Sequence, residues 1–173
     1  MKATGIIRRI DDLGRIVIPK EIRKKLKINE GENIEIYIDD EEHIILKKYS
    51  NLKNIKDIAT KITDSIYSYF KYDILITDTS NVIAASGKNK KNFVNKEISE
   101  ELLNIIKRKD SRIYKNINIV EDFTIEGNCK INLITENGDI NGLLIYIKSE
   151  EITEEESKIL DISSNFLNKY LEE

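Results

Sequence analysis

The stretch Leu13-Gly14-Arg15-Ile16-Val17-Ile18-Pro19 decides the fold of the first part of this 173-residue chain. Within it, Ile16 and Ile18 alternate with their neighbours at a period of two, which predicts a strand with one buried face. Pro19 is the only proline of the sequence. It suits the first position of a helix, because no hydrogen-bonded N–H is needed there and the ring fixes a helical φ. The stretch therefore predicts a strand that leads directly into a short helix.

Similar patterns extend this unit in both directions. Asp11 to Gly14 predicts a turn from a first strand at about Gly5 to Ile10. After the helix, residues 34–38 alternate between isoleucine and polar or aromatic side chains, and residues 43–46 predict a fourth strand beyond an acidic turn. The order is β-β-α-β-β in about fifty residues. A chain of this size buries too little surface to be stable alone, so we expect it to need a partner.

The charge of the chain is unevenly distributed. The whole chain has a formal net charge of −3, but residues 1–28 carry nine basic and three acidic side chains, a net of +6. A solvated basic face is the usual interpretation of such a cluster. A two-fold dimer that interleaves the hairpins of two chains would supply the missing core and bring two copies of the basic groups onto one surface. That surface is the electrostatic footprint of a duplex DNA binder.

Residues 2–23, KATGIIRRIDDLGRIVIPKEIR, closely resemble the N-terminal domain of the AbrB-type transition-state regulators, and residues 45–49 fit the end of that domain. Within the family, the chain is most similar to the regulators of sporulation genes. The resemblance implies that residues 1–50 form an AbrB-like swapped-hairpin β-barrel with a second copy. It further implies a transcription regulator, an activator or repressor, that binds double-stranded DNA without a helix-turn-helix.

The resemblance also implies the residues that contact DNA. The DNA-contacting positions of the family fall here on Arg8, Arg15, Arg23 and Lys24, with Arg9 as a basic neighbour. The family commonly has arginine at position 24, and a lysine there keeps the attraction for phosphate but lacks the bidentate fork. Because arginine and lysine dominate the segment, we expect phosphate contacts and groove shape to outweigh base hydrogen bonds. AT-rich promoter regions are the expected targets.

The rest of the chain predicts a second folded domain at residues 56–173, after a linker at residues 51–55 that leads into a helix. Periodicity predicts the order α-β-β-α-β-β-β-α, a single antiparallel sheet with helices packed on it, so the fold class of the chain is α+β. Asn137-Gly138 is typical of a hairpin turn. Thr153 to Glu156 predicts a capping box at the start of the last helix.

This element order, taken with the family resemblance, is similar to a GAF domain, an α/β sandwich that serves as a small-molecule sensor in many proteins. The similarity makes a pocket between the sheet and the loop from Lys88 to Asn95 a candidate ligand site, with an unknown ligand. The alternative is a degenerate pocket that serves only oligomer contacts. The apolar first and last helices of the domain are the predicted partner surfaces. In this family they would join two dimers into a homotetramer.

The composition excludes several classes of protein. One cysteine, Cys129, forms no intramolecular disulfide, and one cysteine with one histidine, His43, makes no structural zinc site. The longest apolar run, Leu143 to Ile147, is far shorter than the roughly 20 residues that span a bilayer. The first residues lack the apolar segment of a secretory signal, so a cytoplasmic protein is expected. No catalytic, metal or cofactor motif is present, so we expect a protein that is not an enzyme.

Two further hypotheses remain beside the transcription regulator. Antitoxins of toxin–antitoxin pairs use the same barrel to bind their operator and a disordered tail to neutralise a toxin. The periodic residues after position 50 do not resemble such a tail, which weighs against this alternative. A metabolite-sensing module whose DNA binding is controlled by ligand is compatible with the first hypothesis.

Overall fold

The computed structural model describes residues 5–26, 28, 30, 31, 33–48, 56–121 and 123–172. The chain divides into two compact units between residues 49 and 50. The predicted linker at residues 51–55 lies outside the described residues, as do Lys2 and Lys27 of the basic segment. Each unit is described by itself below.

The first unit contains a short helix and a β-hairpin. Helix α1 spans Lys20–Lys25, so Pro19, which was predicted as the first helical residue, instead precedes the helix as its N-cap, with a non-helical ψ of 148°. Strands β1 (Ile34–Ile38) and β2 (Ile44–Lys48) pair in antiparallel fashion. The structure therefore confirms the helix and the last two strands that the sequence predicts for this unit.

The strands predicted at residues 5–10 and 15–18 are wrong for the single chain, because neither segment joins a β-ladder. They are connected by the predicted turn, in which the Asp11 N–H donates to the Arg15 carbonyl at 3.0 Å and the Gly14 N–H donates to the Asp11 carbonyl at 2.9 Å. A strand is completed only by a hydrogen-bonded neighbour. Among the described residues, β1 and β2 pair with each other and no strand pairs with these two segments.

Most large apolar side chains of the first unit face solvent. Ile7 is 88% exposed, Val17 is 73% exposed and Ile38 is 76% exposed. Among the described residues of this unit, the exposed large apolar side chains are Ile6, Ile7, Ile10, Leu13, Ile16, Val17, Leu26, Ile36, Tyr37, Ile38, Ile44 and Leu46. None of the described residues of this unit belongs to a buried core. The alternating apolar side chains that predict half-buried strands therefore lie exposed in the described part of this unit.

The second unit is built on nine-residue and ten-residue central strands that belong to one antiparallel sheet. Its strands are β3 (Asp73–Asp78), β4 (Val82–Ser86), β5 (Ile113–Lys115), β6 (Asn118–Val120), β7 (Phe123–Thr124), β8 (Asn128–Glu136) and β9 (Asp139–Lys148). The order in the five-stranded sheet is β4-β3-β9-β8-β5, and β6 and β7 form a separate ribbon. The predicted antiparallel sheet is confirmed. The short strands β5 and β6 are separated by Asn116, which has a φ of 52°.

Helices cover both faces of the sheet. The helices of this unit are α2 (Lys56–Phe70), α3 (Lys90–Phe93), α4 (Glu100–Arg108) and α5 (Glu154–Leu171). One buried cluster joins α2 and α5 to the sheet and includes Ile66 and Leu167. The other joins α3 and α4 to the opposite face and includes Phe93 and Leu102. Helix α3 lies within the predicted loop at residues 88–95, so that segment is partly helical.

Two local predictions in the second unit, a hairpin turn and a capping box, are confirmed by backbone angles and hydrogen bonds. Asn137 and Gly138 both have positive φ, 50° and 87°, as a two-residue turn between β8 and β9 requires. At the start of α5, the Glu156 N–H donates to the Thr153 hydroxyl at 3.2 Å and the Thr153 N–H donates to the Glu156 carboxylate at 2.7 Å. These are the reciprocal bonds of a capping box.

Candidate nucleic-acid interface

The five basic residues predicted to contact DNA all lie in the first unit. Arg8 and Arg9 are exposed in the segment before the turn, and Arg15 directly follows the turn. Arg23 and Lys24 occupy the last turn of α1. Of the five, only Arg15 is described in an ion pair.

Arg15 is held by the carboxylate of Asp11. Its Nε–H donates to Asp11 Oδ2 at 2.7 Å, although the Arg15 side chain remains 70% exposed. The backbone N–H groups of Leu13 and Arg15 donate to Asp11 Oδ1 at 3.0 and 2.8 Å. Hydrogen bonds from the Arg15 backbone and side chain hold the pKa of Asp11 below its ordinary value. Four of the five guanidinium N–H donors take no part in this pair.

The side chains of Arg23 and Lys24 have different surroundings. Lys24 is exposed, whereas Arg23 is half-buried and its Nε lies buried without a hydrogen-bond partner among the described residues. An unpaired buried donor is costly, typically by about 1–3 kcal/mol. Successive helix positions differ in direction by about 100°, so the two side chains leave α1 on different sides.

The turn between β1 and β2 repeats the geometry of the Asp11 turn. The Asp39 N–H donates to the His43 carbonyl at 3.2 Å, and the Glu42 N–H donates to the Asp39 carbonyl at 3.0 Å. Asp39 Oδ1 accepts from the N–H groups of Glu41 and His43 at 3.1 and 2.8 Å, and His43 Nδ1 lies 3.0 Å from Asp39 Oδ2. Both turns thus join an aspartate to a side chain four residues later.

This repeat was not predicted, although the sequence carries a signal for it. In both turns an aspartate precedes a residue of positive φ by three positions, Gly14 at 75° and Glu42 at 62°. A short acidic side chain at the first position of a turn commonly bonds the following backbone N–H groups. The side chain of His43 lies at the surface and is 44% exposed.

A cavity of about 290 Å³ opens in the second unit at the predicted ligand loop. Its lining includes Lys71, Lys88, Asn89 and Lys148, so part of the loop at residues 88–95 does reach it. The carboxylate of Asp73 accepts hydrogen bonds from the backbone and side chain of Asn89 at 3.0 and 2.7 Å. These bonds fasten the loop to the start of β3.

A second concave surface lies between α2 and α5. It is an apolar groove of about 430 Å³ whose lining includes Ile58, Ile62 and Phe166. Phe166 is 52% exposed, and Ile162 on the same helix is 68% exposed. Large exposed apolar patches of this kind are typical of surfaces that bind a protein partner.

The cysteine, the potential metal ligands and the helix lengths of the described residues bear on three other kinds of function. Cys129 is fully buried, and burial raises the pKa of its thiol, so the thiol is not a reactive thiolate. Within the ranges that the structure describes, no group of three or more histidine, cysteine, aspartate or glutamate side chains is arranged to hold a metal ion. None of the described helices combines the length and apolar character needed to cross a bilayer.

Two family matches divide the chain as its two units do. Residues 54–172 match the family "Stage V sporulation protein T C-terminal, transcription factor". Residues 7–54 match "Antidote-toxin recognition MazE, bacterial antitoxin". Both the transcription regulator and the antitoxin considered from the sequence are thus represented among the similar families.

Individual relatives cover either the whole chain or its first unit. Stage V sporulation protein T of Bacillus subtilis (strain 168) is 39% identical over 178 residues, which span 100% of both chains. The transition state regulatory protein AbrB of the same organism is 61% identical over 49 residues, 28% of this chain and 50% of AbrB. The solved N-terminal DNA recognition domain of AbrB is 60% identical and covers 29% of this chain and 92% of that one, with a TM-score of 0.26.

The type II free methionine-R-sulfoxide reductase of Thermoplasma acidophilum has a similar fold. Its structure covers 69% of this chain and 94% of the reductase with a TM-score of 0.53, at 11% sequence identity. At that identity the likeness concerns the fold alone. The resemblance of residues 2–23 to the AbrB-type regulators is confirmed by the match to AbrB, and the similarity to stage V sporulation protein T covers both units. The full-length match and the family match over residues 54–172 show that the chain belongs to the stage V sporulation protein T family.

Proposed function

We propose that this protein is a DNA-binding transcription regulator of sporulation genes. The observation that carries the proposal is the first unit, which has a net charge of +6 over residues 1–28 and 61% identity to AbrB over 49 residues. A concentrated cationic surface on an otherwise acidic chain is suited to the phosphate backbone of duplex DNA. The chain acts as activator or repressor through that surface and not as an enzyme.

The DNA-binding domain, residues 1–50, is a swapped-hairpin β-barrel formed by two chains. The exposed apolar side chains of the first unit, Ile7 and Val17 among them, support this assembly because a second copy would bury them. The segments at residues 5–10 and 15–18, which join no ladder in the single chain, would gain strand partners at the same time. Residues 51–55 are the linker, and residues 56–173 form the second domain.

The DNA-contacting residues of the proposal are Arg8, Arg9, Arg15, Arg23 and Lys24. Each would occur twice on the two-fold surface of a dimer. The exposure of Arg8, Arg9, Arg15 and Lys24 supports this role. The buried, unpaired Nε of Arg23 is consistent with a partner that the single chain does not supply. Phosphate contacts on AT-rich promoter DNA dominate the affinity.

The second domain is GAF-like and has two proposed roles. The exposed apolar side chains of α5, Ile162 and Phe166, support association of two dimers into a homotetramer through α2 and α5. The cavity beside Lys88 supports a site for a small ligand that remains to be identified. A metabolite panel tests the second role, because a ligand that binds the native state raises the melting temperature. An unchanged melting temperature across the panel supports the degenerate pocket.

The antitoxin alternative is favoured by one observation, the MazE family match over residues 7–54. It requires a disordered segment that wraps a toxin. The described residues from 56 to 172 instead form helices and a sheet and match the stage V sporulation protein T family. Limited proteolysis separates the alternatives, since a folded domain survives as a fragment of about 117 residues and a tail is degraded.

Binding of the full chain to duplex DNA tests the proposal directly. Fluorescence anisotropy measures its affinity for an AT-rich promoter duplex, a duplex of equal length rich in G·C pairs, and a single strand. We expect tight binding to the AT-rich duplex that weakens steeply with salt and weaker binding to the other two. Absence of duplex binding at low salt overturns the proposal.

A further inference from the structure

The carboxylate of Asp11 occupies one edge of the Arg15 guanidinium. The Nε–H to Oδ2 distance is 2.7 Å, and Oδ1 of the same carboxylate is anchored by the N–H groups of Leu13 and Arg15 at 3.0 and 2.8 Å. A carboxylate anchored to the backbone in this way holds the guanidinium in a fixed place beside the turn. The role of this pair in DNA binding rests on the proposed function, since Arg15 is one of the proposed DNA-contacting residues.

This pairing limits how Arg15 can bind a ligand. A guanidinium forms bidentate contacts with two of its N–H groups, either along the edge that includes Nε or through the two terminal nitrogens. Asp11 occupies the Nε edge, which leaves the end-on pair of terminal nitrogens. An end-on fork fits the O6 and N7 acceptors of guanine in the major groove. A side chain held before binding also loses less conformational freedom when the complex forms.

The negative charge of Asp11 also favours base contacts over phosphate contacts by Arg15. Asp11 is ionised at neutral pH, as an ordinary aspartate is, and the bonds from the Arg15 backbone and side chain lower its pKa further. An ionised carboxylate 2.7 Å from Arg15 offsets the attraction of that arginine for phosphate. The pair therefore contributes little to counterion release, and its remaining contribution is directional hydrogen bonding.

We propose that Asp11 is a positioning residue that turns Arg15 from a phosphate contact into a reader of base edges. Arg15 then gives sequence preference to a surface whose other basic residues contact phosphates. The competing interpretation is that Asp11 only closes its turn. The second turn of the unit provides the matched comparison, because Asp39 makes the same backbone bonds but pairs with His43.

The test compares Asp11→Asn with Asp39→Asn in the full chain. Each variant removes one turn carboxylate charge while the amide oxygen can still accept the backbone N–H bonds. The probes are a duplex selected by the wild-type chain from a random library and the same duplex with its sequence shuffled. We expect Asp11→Asn to lower the ratio of the two affinities by about five- to tenfold, within the range of one bidentate base contact.

A second readout separates positioning from a loss of structure. Asp11→Asn should bind the shuffled duplex more tightly, and the slope of log K against log salt should steepen by up to about one for each chain bound. Asp39→Asn should leave the affinity ratio unchanged. An unchanged ratio for Asp11→Asn, or an equal fall for both variants, overturns the proposal.

Arg15→Ala and Arg15→Lys make the outcomes distinguishable. If Arg15→Ala binds both duplexes as the wild type does, Arg15 is not at the interface and the proposed DNA-binding surface is itself wrong. If it weakens binding while Asp11→Asn keeps the ratio, the surface stands and the positioning role fails. Should Asp11→Asn not fold, Arg15→Lys is decisive, because it keeps the charge and removes the fork. We expect Arg15→Lys to lower the ratio of the affinities for the selected and the shuffled duplex while the slope of log K against log salt stays unchanged. An unchanged affinity ratio overturns the proposal.

Discussion

The hydroxyl of Tyr146 in β9 donates to the Glu156 carboxylate at the start of α5, with an O–O distance of 2.7 Å. Lys148 Nζ lies 3.1 Å from each oxygen of the same carboxylate, and the side chains of Lys148 and Glu156 are 11% and 5% exposed. The Thr153 N–H is a further donor. One buried carboxylate thus fastens the N-terminus of α5 to the central strand of the sheet.

Replacing Glu156 by glutamine should destabilise the second unit by roughly 3 kcal/mol, since it removes the carboxylate with which the buried Lys148 ammonium is paired. Urea unfolding followed by circular dichroism measures the change. Glu155→Gln is the matched control, because Glu155 is exposed at the neighbouring position and its change should stay within about 0.5 kcal/mol. Equal stabilities of the two variants would contradict this account of the network.

The stability of the second unit should also fall in acid because of Glu156. Burial raises the pKa of this carboxyl, but the hydrogen bonds from Thr153, Tyr146 and Lys148 outweigh burial and the net pKa lies below the ordinary value of 4.5. A group whose pKa is lower in the folded state stabilises the protein above the unfolded pKa and loses that effect as the pH falls through the folded pKa.

Urea unfolding from pH 7 to pH 3 measures this dependence. We expect the gap in stability between the wild type and Glu156→Gln to be constant above about pH 5 and to narrow below the unfolded pKa of 4.5. Using the difference between the two proteins isolates Glu156 from the other carboxylates. A gap that stays constant down to pH 3 would show that the Glu156 carboxylate is not held in its ionised form.

Much of the second unit could be predicted from local sequence, as could the helix and the last two strands of the first unit, whereas the strands predicted at residues 5–10 and 15–18 do not form in the single chain. The capping box at Thr153 and the turn at Asn137-Gly138 depend on neighbouring residues, so their residue types were sufficient to find them. The alternation around Ile16 also predicts a strand, but the single chain offers it no ladder partner. Hydrogen-bonded strands depend on a neighbour that periodicity does not identify.

In the candidate DNA-contacting site, the residues could be predicted from the sequence but their side-chain pairing could not. The basic residues were found from charge and family resemblance. The pairing of Asp11 with Arg15 was not found, because side-chain pairing within a turn depends on backbone dihedral angles such as the φ of 75° at Gly14. The matching φ of 62° at Glu42 is less expected still, since only a few per cent of residues other than glycine adopt positive φ.

A glutamate in place of Phe166 should dissociate the proposed tetramer into dimers without unfolding the second unit. Phe166 is 52% exposed in the single chain, so the charge meets solvent in the dimer but would be buried at a helix-to-helix contact between dimers. Size-exclusion chromatography with light scattering gives the mass. Asn104→Glu adds the same charge at an exposed position of α4 and should leave the mass unchanged.

Circular dichroism shows whether the Phe166→Glu variant keeps its helices and sheet. A wild-type chain that is dimeric would contradict the proposed tetramer. A tetramer that persists in Phe166→Glu with its fold intact would place the contact between dimers elsewhere. Dissociation by Asn104→Glu as well would indicate a general effect of charge rather than a contact through α5.

The salt dependence of DNA binding by Arg8→Ala is the sharpest test of whether the basic residues of the first unit bind DNA. Arg8 is exposed in the first unit, so its loss removes a proposed phosphate contact with little risk to the fold. Lys107→Ala, at an exposed position of α4, is the matched control. The affinity of each full chain for the AT-rich duplex is measured between 50 and 200 mM salt, and log K is plotted against log salt.

We expect Arg8→Ala to bind more weakly, with a slope that is flatter by about two for each DNA-bound dimer, because each lost phosphate contact removes about 0.9 from the slope. Lys107→Ala should match the wild type in both affinity and slope. An Arg8→Ala chain with the affinity and slope of the wild type would contradict the assignment of the basic first unit as the DNA-binding surface.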